Sequence, residues 1–196
     1  MKKESAKTQP LLLQHDRMYL KRGFHSLAGV DEAGRGPLAG PVVASAVIVR
    51  DFSFESRIDD SKKLSAAERE RAFEEINAKC EVAVSVIGHE QIDRINILRA
   101  TLEGMREAVL RLAALPSCLL VDGPHVPDVP CTRFPVIDGD AKSFSIACAS
   151  IIAKVTRDRL MLDYDRQYPG YGFEKHKGYG TKLHYEMLKK HGLCDI

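Results

Sequence analysis

The chain has 196 residues, 44% of them hydrophobic and 29% charged, with a net charge of +2, which describes one soluble globular domain and excludes a disordered or fibrous chain. No apolar run reaches membrane-spanning length, and Leu11-Leu12-Leu13 is too short for the core of a secretion signal, so a cytoplasmic protein is expected. The cysteines Cys80, Cys118, Cys131, Cys148 and Cys194 are odd in number and never closely paired, so they read as reduced thiols rather than as a zinc or redox site.

Residues 1–24 read as an extension ahead of one domain, 25–196. Within that domain, residues 27–33 predict a strand running into the glycine-rich turn Gly34-Arg35-Gly36-Pro37, and Val42 to Val49 a second, largely buried strand. Their short connection favours antiparallel pairing. Ser65 and Glu68 stand in capping-box spacing, which starts a helix near Ser65. Glu81 to Ile87 alternates and is rich in valine, giving a third strand. From Ile95, the apolar positions Leu98, Leu102, Met105, Val109 and Leu112 recur every three or four residues, the period of one long amphipathic helix ended by Pro116. Cys118 to Val121 and Phe134 to Ile137 predict two short strands. Small and apolar residues from Ser143 to Ala153 begin a helix that continues into a charged stretch, and Thr181 to His191 makes a last helix within a C-terminal helical segment from about residue 168. The order predicts an α/β domain, one mixed antiparallel and parallel sheet flanked by helices.

Three acids share a position. Asp31 follows Ala-Gly-Val, Asp122 follows Leu-Leu-Val, and Asp140 follows Ile-Asp-Gly, each at the close of an apolar segment. Strand ends that finish on one side of a sheet bring such side chains from distant parts of the chain to one edge. Clustered carboxylates repel one another unless protons or cations intervene, and a hard divalent cation with oxygen ligands is the natural partner. Asp31 and Glu32 are adjacent, and strict strand alternation would send them to opposite faces. Their position where strand gives way to turn is expected to release them from it. Asp138, Asp158 and Asp163 read as turn, capping or helix-surface residues.

Gly34 and Gly36 let backbone amides approach a ligand, but no helix follows as a dinucleotide fingerprint requires, and neither a Walker lysine nor a serine elbow is present. Basic residues gather at Lys62-Lys63, at Lys154 and Arg157, and along the tail, where Tyr171 to Thr181 interleaves aromatics, glycines and lysines in a pattern suited to stacking on sugars or bases. These features fit a metal-dependent enzyme acting on nucleic acid. A nuclease acting on DNA alone and a nucleic-acid-binding module without turnover are the alternatives.

Taken together, GVDEAGRGPLAGPVV at 29–43, DDSKKLS at 59–65, LLVDG at 119–123, GDAKSFSIACASIIAKVTRDR at 139–159 and HKGYGT at 176–181 resemble bacterial ribonuclease HII in order along nearly the whole chain. The resemblance implies an RNase H-like fold for residues 25–196 and an endonuclease that cuts the RNA strand of RNA–DNA hybrids and incises at single ribonucleotides in duplex DNA. It implies Mg²⁺ or Mn²⁺ as cofactor, bound by Asp31, Glu32, Asp122 and Asp140 as catalytic metal ligands, with Asp158 in reserve, and 5′-phosphate and 3′-hydroxyl products. By the same mapping Gly34, Arg35 and Gly36 sense the 2′-hydroxyl beside Tyr179, and Lys62, Lys154 and Arg157 are phosphate contacts. The expected substrate partners are RNA–DNA hybrid and ribonucleotide-containing duplex DNA, bound by a monomer away from any membrane.

Overall fold

The computed structural model describes residues 2–196, with side chains described from Gln9 onward. Its frame is a five-stranded sheet in the order β3-β2-β1-β4-β5, built from β1 (Leu27–Ala33), β2 (Val42–Val49), β3 (Cys80–Ile87), β4 (Cys118–Asp122) and β5 (Thr132–Val136). The first three strands pair antiparallel, and β4 and β5 add in parallel to β1. This is the expected mixed sheet. A parallel partner for β1 needs a crossover, and the helices between β3 and β4 supply it.

Two layers of helix cover the sheet. On one face α5 (Phe144–Gln167) lies across β1 and β2, with α2 (Ala66–Lys79) beside it, and Val47, Ile76, Phe144, Ile151 and Ile152 close that core. On the other face α4 (Ile97–Leu110) packs Met105, Ala108 and Val109 onto Ala28, Val30, Ala44 and Val121. The alternation along β1 follows: Ala28 and Val30 point to α4, while Gly29 lies under the start of α5, where an added Cβ would fall 2.1 Å from the Ser145 carbonyl carbon. α2 begins where the sequence places it, with Ser65 and Glu68 forming the full reciprocal capping box.

The long helix expected from Ile95 is two helices. α3 (His89–Ile95) and α4 are separated by Asn96, whose φ of 71° is left-handed and whose side chain accepts a hydrogen bond from the Arg99 amide. An asparagine can cap a helix and adopt that backbone conformation, so it starts a helix within an unbroken apolar period. The tail holds a short α6 (Phe173–His176) and α7 (Lys182–His191), with Thr181 capping α7. Among the described residues no helix is long and apolar enough to cross a membrane, and all five cysteines are free.

The sequence reading contains no helix before residue 24, yet α1 spans Lys2–Lys21. It joins the core through Leu12, 1% exposed, and through Asp16. The buried Asp16 carboxylate accepts from the Ser145 amide at 2.8 Å and from the Ser143 hydroxyl at 2.6 Å, so it caps α5 from a distant part of the chain. Asp16→Ala is expected to destabilise the protein by about 2 kcal/mol, the upper range for losing a cap. Thermal melting checks this, and an unchanged midpoint would show that Ser143 alone suffices.

Candidate active site at the ends of β1 and β4

β1 and β4 run in parallel with Val30 opposite Val121, so Asp31 and Asp122 follow directly at the same sheet edge. Strand β1 continues through both acids, with Asp31 opposite Ser45 and Glu32 opposite Ala44 of β2. The expected release from alternation does not occur. Asp31 points to the α5 side near Ser150, and Glu32 lies on the α4 side, lining a crevice with Leu98, Thr101 and Met105. Both still border one cleft of ≈ 240 Å³, because pairing with β4 has just ended and the edge is open there. That cleft also carries Gly34, Arg35, Ser61, Lys62, Asp122, Ser150, Lys154 and Tyr179. A larger cavity, ≈ 500 Å³, opens at the other end of β1 among Asp16, His25 and Arg50, but its one carboxylate is engaged in capping α5.

Each acid is held separately. Asp31, 5% exposed, accepts from the Glu32 amide at 2.7 Å. Burial pushes its carboxyl well above the usual carboxylate range, and the charges of Glu32 and Asp122 push it further. Burial raises Glu32 also, an effect that Arg35 opposes, 3.4 Å from the Glu32 carboxylate, and Asp122 reinforces. Asp122 accepts from the Gly139 amide at 2.6 Å, so the turn that carries Asp140 is fastened to the end of β4. The turn packs closely against Ile146 and Asp122, since a Cβ on Gly139 would stand 2.6 Å from the Ile146 side chain and 3.1 Å from the Asp122 carboxylate.

Asp140, on the one-turn helix Gly139–Ala141, is raised by burial and by Asp60, against the pull of Lys62. The Lys62 ammonium stands 3.3 Å from its carboxylate. Partial burial works against that ammonium, but Asp140 prevails and raises its pKa.

Among the described residues no three His, Cys, Asp or Glu side chains are gathered closely enough to hold a metal ion by themselves. The donor chemistry nevertheless fits a hard cation: the carboxylates of Asp31, Glu32 and Asp122 and the hydroxyls of Ser61 and Ser150 line the cleft, and Asp31 and Glu32, raised first by burial, are raised further by the charge of Asp122.

Around this edge two glycine-rich segments meet. A Cβ on Gly36 would lie 3.5 Å from the Tyr179 ring, so the ring and the Gly34-Arg35-Gly36 backbone are neighbours, and Tyr179 remains 45% exposed. Lys154 reaches the cleft while paired to Asp158 at 2.7 Å, which gives Asp158 a supporting place outside the acid cluster. The mapping of Arg157 to phosphate is corrected by its surroundings: it is 1% exposed, and all three guanidinium nitrogens donate to backbone carbonyls. A side chain so enclosed cannot reach a substrate. Sequence reasoning passed over the Ser61 and Ser150 hydroxyls, 2.9 Å apart beneath Asp31, although both lie inside the quoted motifs.

Among solved structures the fold is similar to that of ribonuclease HII from Archaeoglobus fulgidus in its complex with PCNA, with a TM-score of 0.71 and 32% identity over 84% of this chain and 87% of that one. The mixed sheet with carboxylates at its parallel strand ends thus defines an RNase H-like nuclease. Ribonuclease HII as a sequence family matches residues 28–196, and the ribonucleases HII of Ruminiclostridium cellulolyticum and Endomicrobium trichonymphae are 50% and 51% identical, each over 94% of this chain and over 73% and 89% of their own lengths. The chain belongs to the ribonuclease HII family and is a ribonuclease H, an endonuclease hydrolysing RNA in RNA–DNA hybrids.

Proposed function

We propose that the protein incises duplex DNA at single embedded ribonucleotides as well as cutting the RNA strand of hybrids, using two divalent ions held by Asp31, Glu32, Asp122 and Asp140. One observation carries the reading: Asp31, Glu32 and Asp122 line one cleft with Gly34, Arg35 and Tyr179, while Asp140 adjoins it through Lys62 and Gly36 lies against the Tyr179 ring. Mg²⁺ or Mn²⁺ bound there would supply a water acidified for attack on phosphorus and charge to stabilise the departing 3′ oxygen, leaving 5′-phosphate and 3′-hydroxyl ends. An incomplete set of protein ligands suits such an ion, which keeps waters and accepts substrate phosphate as well.

The chain's own residues supply position. The Gly139 amide holds one Asp122 oxygen, and the Glu32 amide holds one Asp31 oxygen, fixing both carboxylates before substrate arrives. Lys62 beside Asp140 and Lys154 at the rim present ammonium groups to the backbone phosphates flanking the cut. The exposed Tyr179 ring offers a face to the ribose, and the backbone of Gly34, Arg35 and Gly36 offers polar groups to its 2′-hydroxyl, the group that separates RNA from DNA.

The test compares one DNA duplex with and without a single ribonucleotide. Cleavage is expected only of the ribonucleotide-containing duplex, only with Mg²⁺ or Mn²⁺, and not in EDTA. Equal cutting of the all-DNA duplex would replace the reading with a DNA nuclease, and binding without turnover would replace it with a binding module.

A further inference from the structure

Arg157 is the bulkiest fully buried side chain of the described residues, and among them its hydrogen-bond partners are backbone carbonyls and no carboxylate. Burying a guanidinium without an opposite charge costs several kcal/mol unless its donors are met. Here each of the three nitrogens donates one hydrogen bond, all to backbone carbonyls from two segments far apart in sequence. Nε donates to the Pro41 carbonyl at 2.9 Å and Nη2 to that of Ala39 at 3.1 Å, while Nη1 donates to that of Lys177 at 2.9 Å. One planar fork therefore fastens the loop carrying Gly34-Arg35-Gly36 to the loop carrying Tyr179. A second tie, the Leu38 amide to the Gly178 carbonyl at 2.9 Å, runs beside it.

The packing around the fork leaves no slack. Cβ atoms on Gly34 and Gly178 would fall 2.6 Å from Arg157 Nε and 2.2 Å from the Ala39 carbonyl oxygen, and both glycines, like Lys177 beside Gly178, have left-handed φ. From the other side the Tyr179 segment is fixed by a stacked pair of histidines. His176 accepts from the Gly178 amide, and His184 Nδ1 lies 3.0 Å from the Tyr179 carbonyl.

We infer that Arg157 is a positioning residue for ribose recognition: by clamping the Ala39–Pro41 and Lys177 carbonyls it sets the spacing between the Gly34-Arg35-Gly36 backbone and the Tyr179 ring, without touching substrate. This rests on the ribonucleotide reading of the cleft given above. A lysine at 157 keeps the charge but lacks the fork, so it cannot hold three carbonyls at fixed angles.

The experiment measures kcat and KM on a duplex with one ribonucleotide, well below the melting temperature, for wild type, Arg157→Lys, Tyr179→Ala and the double variant. Folded Arg157→Lys should lose between about 10- and 100-fold in kcat/KM, the range for a small misplacement of binding groups. The double variant should lose little more than Tyr179→Ala alone, since both act through the same ring. In the uncharged Arg157→Gln the slope of duplex affinity against salt should stay at its wild-type value, whereas a lost phosphate contact would lower it by about one. Full activity in folded Arg157→Lys, additive losses or a reduced slope would each overturn the inference. Should Arg157→Lys not fold, Gly178→Ala, which forces the same segments apart at the Ala39 carbonyl, is expected to give the same loss, and full activity there would overturn it equally. A wild-type protein without ribonucleotide-dependent cleavage would instead overturn the underlying reading of the cleft.

Discussion

Asp122→Asn is expected to reduce hydrolysis by more than ~100-fold while leaving binding of an RNA–DNA hybrid largely intact. Loss of an outer partner of a metal ligand costs ~10–100-fold, and a ligand itself should cost more. The substitution preserves shape, and the asparagine oxygen can still accept from the Gly139 amide that Asp122 now engages at 2.6 Å. What disappears is the negative charge at the end of β4. Steady-state cleavage with Mg²⁺ and a gel-shift titration check the two halves, and near-normal turnover would remove Asp122 from the proposed metal set. Stability should change little, because two effects oppose. A charge-assisted hydrogen bond becomes neutral, worth about 1 kcal/mol, but a charge that pushes up the carboxyls of Asp31 and Glu32 is also removed. In EDTA the melting temperature should therefore fall by no more than ~3 °C.

Gly29→Ala is the counterpart for the fold. Gly29 is buried in β1, between Val47 on one side and Leu120 on the other, so the strand cannot shift within the sheet. The new methyl would meet the Ser145 carbonyl carbon at 2.1 Å, its oxygen at 2.3 Å and the Ile146 amide nitrogen at 2.3 Å. All three are backbone atoms of the first turn of α5, which Asp16 and Ser143 hold in place. No rotamer change relieves the contact, and α5 must lift from the sheet. Overpacking of this kind costs ~3 kcal/mol or more, which lowers the melting temperature by ~6–12 °C in a chain of this size. A thermal melt of Gly29→Ala that matches wild type would mean that α5 sits farther from β1 than described.

The elements legible in sequence were those with a local signature. The Ser65 to Glu68 spacing encodes a capping box, alternating valines encode β3, and the acids closing two apolar runs mark the ends of β1 and β4, where parallel pairing brings them side by side. The features missed depend on partners far along the chain. Nothing near Arg157 indicates that the carbonyl of Pro41, 116 residues away, will close around it, so a basic residue in a motif reads as a phosphate contact. Asp16 likewise finds its role only 129 residues on, at Ser145. The break at Asn96 was hidden for a different reason: the apolar period runs on beyond it from Ile95 to Leu98, while the helix restarts at Ile97.

Because α5 bears several duties along its length, its residue count is under constraint. Its first turn seats against Gly29, the Ala149 carbonyl accepts from Ser45, Ser150 meets Ser61 beneath the acids, Lys154 reaches the cleft and Arg157 holds the two loops. Each added residue turns everything beyond it by about 100° and advances it ~1.5 Å. A single insertion before Ser150 would thus swing Lys154 and Arg157 out of register together, although every side chain were still present. Exchange of residues in place therefore leaves the register of this helix intact, whereas a change of length is accommodated only outside it, in the loops that bracket Phe144 and Gln167.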